Sequence, residues 1–168
     1  MKRILSLPVI AVAAMAFLFS GCGSVNHTPY YTKSQINPDG LAGLVAPGHK
    51  VYIDWVDAQG GLKQDEYDDF VRLTKGFTNW EVAESKDKAD FVLRLIQNKK
   101  FQISSPTCWI TPEVLTTDGR LLWRGSLITG GANEFSGFRA TDRCFKKMLR
   151  YMAEKEPAFA AGIKTDLL

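Results

Sequence analysis

Histidine is scarce in this 168-residue sequence, and the usual signatures of catalysis are missing. His27 and His49 stand apart from any cluster of cysteines or carboxylates, whereas a zinc site draws its ligands from a compact group. No G-x-x-x-x-G-K-[ST] or G-x-G-x-x-G phosphate-binding loop occurs. A serine or cysteine nucleophile needs a positioned base, which only a pairing of His49 with Cys108 would supply. We therefore predict a non-enzymatic protein without a metal, a cofactor or a catalytic residue.

The sequence also lacks a large surplus of positive or negative charge. The chain has 21 Lys and Arg residues against 18 Asp and Glu residues. Removal of an N-terminal segment that contains Lys2 and Arg3 would leave 19 against 18. The basic residues are spread among acidic ones along the sequence, whereas nucleic-acid binding calls for a basic patch or stripe. We expect no nucleic-acid partner.

The N-terminus has the features of a secretory signal peptide. Lys2 and Arg3 give it a positive start, and residues 4–19 form an apolar run that only Ser6 and Pro8 interrupt. A membrane-spanning helix needs roughly 20 apolar residues, so this run is short for one. A positive start, an apolar middle and small residues before a cleavage site are typical of a signal peptide.

Ser20-Gly21-Cys22 stands where a signal peptide usually has its small-x-small site, and it resembles the bacterial lipobox. The alternative is an ordinary signal peptide with an incidental cysteine. The pattern prefers leucine where this chain has Phe19, with Leu18 one position earlier. The resemblance implies that signal peptidase II cuts before Cys22, which then carries a diacylglyceryl thioether and an acylated amine, palmitate among the acyl chains.

Two or more acyl chains anchor a protein stably to a membrane. The residue after Cys22 is Gly23 rather than aspartate. By resemblance to the enterobacterial sorting rule, this implies a protein that is lipid-anchored in the outer membrane and faces the periplasm.

Lipidation of Cys22 would leave Cys108 and Cys144 together in an oxidising compartment, where disulfides persist. A bridge between them would contribute about 3.5–4 kcal/mol in the chain-entropy model. Buried free thiols are also common in protein cores. The sequence leaves both outcomes open because it does not give the distance between the two Cα atoms.

The pattern along the chain predicts four segments. They are a signal peptide at 1–21, a tether at 22–48, an α+β domain at 49–156 and a C-terminal tail at 157–168. The tether assignment rests on its few aliphatic residues and its turn formers, such as Asn37-Pro38-Asp39-Gly40. Tyr30-Tyr31 and the short apolar patch at 41–45 are its candidate groups for docking, on its own domain in the first place and on a partner as the alternative.

Hydrophobic periodicity predicts the elements of the domain. Alternation predicts strands at 51–56, 80–83 and 89–96, the last with Arg94 facing outwards. Spacings of three and four residues predict two helices. Their apolar faces comprise Tyr67, Phe70, Val71, Thr74 and Phe77 in the first, and Phe138, Thr141, Phe145, Met148, Leu149 and Met152 in the second.

Four carboxylates crowd the start of the first predicted helix, namely Asp65, Glu66, Asp68 and Asp69. A calcium loop needs oxygen ligands on a turning segment with a glycine inside it. These side chains would instead splay around a helix, where negative charge near the N-terminus complements the helix dipole. We interpret them as a solvated helix face.

Asp118-Gly119 predicts a two-residue β-hairpin with a type I′ turn. The implied register pairs Glu113 with Arg124, Val114 with Trp123 and Ile110 with Leu127. One face of this hairpin is then a core face of Ile110, Val114, Leu121, Trp123 and Leu127. The Glu113–Arg124 pair would lie on the solvent face, which Leu115 and Leu122 partly cover.

Four tryptophans, Trp55, Trp80, Trp109 and Trp123, lie on or beside predicted strands. Packing in the core is the default for such residues, and an exposed glycan platform is the alternative.

The predicted element order β-α-β-β-β-β-α indicates an α+β fold: a single, mostly antiparallel sheet of about five strands with two helices on one face. The segment Trp80-Glu81-Val82-Ala83, the strand start at 89–93 and the hairpin ending in Leu122-Trp123-Arg124 resemble small modules of bacterial envelope lipoproteins. These are the LpoB, CsgG and TolB N-terminal types of periplasmic module.

The resemblance covers most of residues 51–152 and implies a non-enzymatic envelope module that docks another protein, without transferring any residue role. The candidate contact segments are 106–112 and 129–138. A small-ligand or glycan-binding lipoprotein that uses an exposed tryptophan is the alternative function.

Overall fold

The computed structural model describes residues 38–58, 64–100, 107–131 and 139–168. The predicted signal peptide, Cys22 and residues 23–37 of the predicted tether lie outside these residues. In chain order the elements are α1 (Pro38–Leu44), β1 (Lys50–Asp57), α2 (Gln64–Phe77), β2 (Glu81–Val82), β3 (Phe91–Lys100), β4 (Thr107–Leu115), β5 (Leu121–Arg124), β6 (Ile128–Gly131) and α3 (Ala140–Lys155). Short 3₁₀ turns occur at Lys86–Lys88, Pro157–Phe159 and Thr165–Leu167.

The strands form one sheet in the order β2-β1-β3-β4-β5, and β6 also pairs with β4. The α+β class is therefore confirmed. The sheet is mixed rather than mostly antiparallel, because β1 runs parallel to both β2 and β3. Helix α2 returns the chain to the starting end of β1, and such a crossover makes the following strand parallel. The pairings of β4 with β3, β5 and β6 are antiparallel.

One face of the sheet, here called the inner face, packs against the helices. Alternate strand residues point to it, and they are almost completely buried. They include Val51, Ile53, Trp55, Phe91, Leu93, Leu95, Cys108, Ile110, Val114 and Trp123. The opposite side of the sheet is here called the outer face, and the strand residues between the inner ones point to it.

Helices α2 and α3 cover the inner face with the apolar sides that the periodicity predicts. Phe70 and Thr74 of α2 are buried, and Tyr67, Val71 and Phe77 are partly buried against the core. In α3 the buried set is Ala140, Cys144, Phe145, Met148, Leu149 and Met152. The Phe70 ring joins the two helices to the sheet, since its centroid lies 6.0 Å from Trp55 and 5.7 Å from Phe145. Phe138, predicted on the α3 face, lies outside the described residues.

The hairpin register is confirmed at its centre and differs at both ends. Glu113 pairs with Arg124 and Val114 with Trp123, as predicted. At the turn, Thr116 rather than Thr117 is the last paired residue, because its amide donates to the Arg120 carbonyl at 2.9 Å. The predicted two-residue loop is therefore one residue longer, and a bulge opposite Leu115 restores the register.

The bulge in β5 and a shift of the strand register by one residue before β6 change which residues reach the core. Leu122 is buried and Leu121 is only partly buried, whereas Leu121 was predicted on the core face. Ile110 pairs with Ile128 rather than with Leu127. Leu127 therefore points to the outer face with 46% of its surface exposed, and its predicted place in the core is wrong.

Both ends of the described chain contribute to the core. Pro38–Leu44, within the predicted tether, is a helix, and Leu41 and Val45 are buried. The predicted C-terminal tail also packs inwards: Phe159 and Ile163 are buried, and the Phe159 ring meets Trp123 edge to face with the centroids 4.9 Å apart. Apolar side chains three to four residues apart allow these short segments to close the core. Of the described helices, none is long and apolar enough to cross a membrane.

Candidate functional site

The two cysteines that the sequence singles out lie together between β4 and α3. Both are buried and are free thiols in the structure. The Cys144 thiol donates to the carbonyls of Cys108 at 3.4 Å and of Ile128 at 3.3 Å. Whether they form a disulfide in an oxidising compartment stays a prediction.

A buried polar chain leads to this thiol pair from the middle of the sheet. The Trp55 indole N–H donates to Gln97 Oε1 at 2.7 Å, and the Gln97 amide donates to Cys108 Sγ at 3.2 Å. The hydrogen bond with Cys108, together with burial, raises the pKa of Cys144 far above its ordinary value. A protonated, buried thiol is a poor nucleophile, since the thiolate is the reactive form.

His49 and Cys108 are not brought together. His49 Nδ1 lies 3.4 Å from Asp90 Oδ2 without forming a hydrogen bond, and the same oxygen accepts from the Lys50 amide at 2.7 Å. Cys108 pairs with Lys99, near the other end of β3. At about 3.3 Å per residue, the stretch from Asp90 to Lys99 spans about 30 Å.

One carboxylate of the acidic cluster in α2, Asp69, forms a surface ion pair. Arg72 donates to Asp69 at 2.9 Å and reaches Asp142 of α3 at 3.5 Å. Within the described ranges, no group of three or more His, Cys, Asp or Glu side chains is arranged to hold a metal ion.

The outer face carries a row of four charges that alternate in sign, here called the charge row. It consists of Asp54, Arg94, Glu113 and Arg124, one from each of the adjacent strands β1, β3, β4 and β5. The strand register places these residues directly beside one another, so the row runs across the sheet. Opposite charges on neighbouring strands attract one another.

The ion pairs of the charge row are short, and its centre is buried. Arg94 Nε donates to Asp54 Oδ2 at 2.7 Å, and Arg124 Nε donates to Glu113 Oε1 at 2.5 Å. Arg94 also approaches Glu113 Oε2 at 3.8 Å. The Glu113 side chain is 4% exposed, although the sequence predicts it on a solvent face. Two flanking arginines compensate the carboxylate, which allows it to lie so deep.

Apolar residues lie on both sides of the charge row. On one side Tyr52, Val92 and Leu115 are in register, and Val92 and Leu115 are buried. On the other side the row is Val56, Ile96, Thr111 and the neighbouring Leu127. Val56 is 39% exposed and Leu127 46%, and both belong to the few large hydrophobic residues exposed in the described parts of the chain.

Trp109 lies on the outer face beyond this second apolar row and is partly exposed. Trp55, Trp80 and Trp123 are buried, which confirms core packing for three of the four tryptophans. The candidate contact segments 106–112 and 129–138 lie partly outside the described residues. The portions that the structure describes, β4 and β6, pair with each other and place Trp109 beside Thr129.

Sequence reasoning finds Arg94 on the outside and the Glu113–Arg124 pair, but it misses the charge row as a whole. Asp54 and Arg94 are 40 residues apart, and only the strand order makes them neighbours. The available signal is the alternation within each strand, combined with a parallel pairing of β1 and β3.

No protein-family model and no curated protein sequence matches the chain. Solved structures with some likeness include a PelC dodecamer from Paraburkholderia phytofirmans, with 15% identity, a TM-score of 0.46 and coverage of 61% of this chain and 87% of that chain. Uncharacterized lipoprotein B from Nitrosomonas europaea has 15% identity and a TM-score of 0.39, with coverage of 73% and 88%. The LpoB C-terminal domain from Salmonella enterica has 12% identity and a TM-score of 0.30, with coverage of 55% and 95%. These values are too low to transfer a function.

Proposed function

We propose that this protein is a non-enzymatic lipoprotein, anchored through Cys22 in the outer membrane and facing the periplasm, whose outer face binds another envelope protein. The lipobox-like Ser20-Gly21-Cys22 supports the anchor. The observation that carries the binding role is the exposed apolar row of Val56 and Leu127 directly beside the charge row.

The chemistry of the outer face defines the kind of partner. Exposed apolar residues beside fixed charges are typical of protein-binding surfaces, which combine an apolar centre with a polar rim. Glu113 is buried, so the charges of the row that solvent reaches are the partly exposed Asp54, Arg94 and Arg124. A partner surface with apolar side chains and an adjacent carboxylate complements this arrangement, because arginine pairs well with carboxylates.

Site-specific photocrosslinking in living cells tests the outer face. A photoreactive amino acid at Val56 or Leu127 should give one defined protein adduct, and the same residue at exposed Lys75 of α2 should give none. Arg94→Glu should remove the adduct, because it reverses the charge that the partner's carboxylate meets. Equal labelling at all three positions, or an adduct that Arg94→Glu leaves unchanged, would contradict the binding role.

The anchor has a separate test. Mature protein from membranes should carry a mass that corresponds to a diacylglyceryl group and a further acyl chain on Cys22, and Cys22→Ser should lose it. A Cys22→Ser protein that stays membrane-bound with unchanged mass would overturn the lipoprotein assignment.

Trp109 is the one specific observation that favours the alternative, a glycan or small-ligand site. It is the only tryptophan of the four that is not buried, and it lies near the apolar row. A blue-shifted fluorescence spectrum, together with protection of all four tryptophans from a soluble quencher, would end this alternative.

A further inference from the structure

The exposed side of α3 carries a stripe of five positive charges, here called the basic stripe. It consists of Arg139, the residue directly before the helix, and of Arg143, Lys146, Lys147 and Arg150 within it. At 3.6 residues per turn these residues fall within an arc of about 100°, and at 1.5 Å per residue they extend over about 17 Å. The even mixture of charges along the sequence hides this stripe, because the acidic residues of α3 lie at its flank or beyond its end.

The nearest carboxylates on α3 leave most of the stripe without a counter-charge. Asp142, at the flank of the stripe, is engaged by Arg72 of α2 at 3.5 Å. Glu154 is the next carboxylate along this side, one turn beyond Arg150. Arg150 itself donates to the main-chain oxygen of Leu168, so the C-terminal end of the stripe is partly occupied.

The two lysines of the stripe are held in place by groups that do not neutralise them. Lys147 donates one N–H to the Thr129 carbonyl at 3.1 Å. The Lys146 ammonium lies 4.3 Å from the centroid of the Phe77 ring. Neither contact places a carboxylate beside the lysine.

No carboxylate of the described residues forms an ion pair with the first four cations of the stripe, Arg139, Arg143, Lys146 and Lys147. Unpaired cations in a stripe attract a surface of negative charge, and each cation near an anionic bilayer favours the bound state by roughly fivefold. The attraction falls off within a Debye length of about 10 Å at 0.1 M salt. The stripe is therefore effective only for a surface that the domain is held against.

The length of chain before α1 would hold the domain near such a surface. Cys22 and Pro38 are separated by few enough residues that their connection spans at most about 55 Å. α1 contacts the turn at Pro157–Phe159, which follows directly after α3. The point of attachment therefore lies at the same end of the domain as the C-terminal end of α3.

We infer that the basic stripe of α3 docks on the anionic phosphate headgroups of the bilayer that holds the lipid anchor. This inference rests on the proposed lipoprotein function. The stripe points away from the sheet, so docking it on the bilayer turns the outer face towards the periplasm. The charge row and its apolar neighbours are then presented to a protein partner.

Amine modification of the full mature chain in vesicles tests the inference without a substitution. The protein is reconstituted into phosphatidylcholine vesicles with or without phosphatidylglycerol, and each lysine's rate of acetylation is measured by mass spectrometry. With phosphatidylglycerol at low salt, Lys146 and Lys147 should react roughly fivefold more slowly, and 1 M salt should restore their rates. Lys86 and Lys88, exposed in the turn between β2 and β3, should keep their rates and serve as the internal control.

A paired substitution checks the role of the stripe. Arg139→Glu with Arg143→Glu should abolish the protection of Lys147, whereas Lys86→Glu with Lys88→Glu should leave it intact. Equal rates at Lys147 in both vesicle types would overturn the inference. Protection that appears only in native envelopes would also overturn it, because the stripe would then bind another macromolecule.

Flotation of the chain with the vesicles tests the lipid anchor separately from the docking of α3. A chain that fails to float with either kind of vesicle contradicts the proposed lipid anchor. A chain that floats with both but shows no headgroup-dependent protection contradicts only the docking of α3.

Discussion

Gly130 of β6 lies directly against the backbone of Cys144 in α3. A Cβ atom at Gly130 would come within 2.6 Å of Cys144 Cα, closer than real Cβ contacts allow. Cys108 is the strand partner of Gly130, so this close approach also brings the two thiols together. The absence of a side chain at one position therefore sets how closely α3 packs on the sheet.

Gly130→Ala should destabilise the protein by about 2 kcal/mol, because helix and strand must separate to admit the methyl group. Gly131 is the matched control: a Cβ there meets nothing within 4 Å. Gly131→Ala should change the free energy of unfolding by less than about 1 kcal/mol. Urea unfolding of the three proteins gives the comparison, and equal midpoints for the two variants would contradict the packing described.

The thiols of Cys108 and Cys144 should be inaccessible to alkylating reagents in the folded protein. Protein prepared under reducing conditions should react with iodoacetamide at these positions only after denaturation, because both side chains are buried. Protein from an oxidising compartment distinguishes the two outcomes that the sequence leaves open. Labelling that requires reduction as well as denaturation would establish a disulfide, and rapid labelling of native reduced protein would contradict the burial.

The raised pKa of Cys144 predicts a loss of stability at alkaline pH. The folded-state pKa lies above the unfolded value of about 8.5, so the folded state retains its proton while the unfolded state releases it. The stabilisation is complete below about pH 8.5 and declines above it, by up to about 1.4 kcal/mol per pH unit. Cys144→Ser retains the donor and does not titrate there, so the difference in unfolding free energy between the two proteins should shrink from neutral pH to about pH 10. A constant difference would refute the prediction.

Removing one partner of the Glu113–Arg124 pair should destabilise the protein, whereas replacing both partners with apolar residues should cost little stability. Arg124→Leu leaves a carboxylate that is 4% exposed with only Arg94 at 3.8 Å, and we expect a loss of about 2 kcal/mol. The double variant Glu113→Leu with Arg124→Leu should recover most of that stability, since no unpaired buried charge remains.

The exposed Arg72–Asp69 pair provides the control for this cycle. Its side chains are 58% and 49% exposed, so Arg72→Leu should cost less than about 1 kcal/mol. Urea midpoints give all of these values. Additive effects of Glu113→Leu and Arg124→Leu would show that the two side chains do not act as a pair.

Two further glycines should respond to alanine with opposite signs. Gly119 adopts a φ of 95° in the turn before β5, a conformation that L-residues rarely adopt, so Gly119→Ala should cost about 1 kcal/mol. Gly76 lies in α2 with open space around it, so Gly76→Ala should stabilise by about 0.5–1 kcal/mol. In thermal unfolding, Gly119→Ala should lower the Tm and Gly76→Ala should raise it. A shift of the opposite sign in either variant would contradict the conformation described for that glycine.

The local features of this fold are readable from the sequence because each depends on nearby residues. Phe70 and Thr74 mark the buried side of α2, and alternation identifies the inner residues of β3. The pairing of β1 with β3 is different in kind. Residues that come together there lie about 40 positions apart, with a helix and the edge strand β2 between them in sequence. No local pattern states that β2 lies at the edge, so the charge row emerges only from the structure.

The hairpin shows a second limit. The dipeptide Asp118-Gly119 correctly marks a turn. The loop, however, has one residue more than predicted, which shifts the strand register by one, and a bulge between Thr116 and Val114 shifts it back. A further step between Gly125 and Ile128 then moves Leu127 from the core side to the outer face. Each step costs little energy locally, so the sequence near the turn does not determine it.

The packing of Phe159 against Trp80, with ring centroids 6.5 Å apart, has a consequence for the order in which the chain can fold. The Trp80 indole donates to the Val45 carbonyl at 2.8 Å, and Gly162 lies against both groups. A chain that emerges from a ribosome or a secretion pore exposes this tryptophan until residue 163 is free. The contacts around Trp80 therefore form late in folding. Until they form, Trp80 and the apolar residues that pack on it are open to chaperones and proteases.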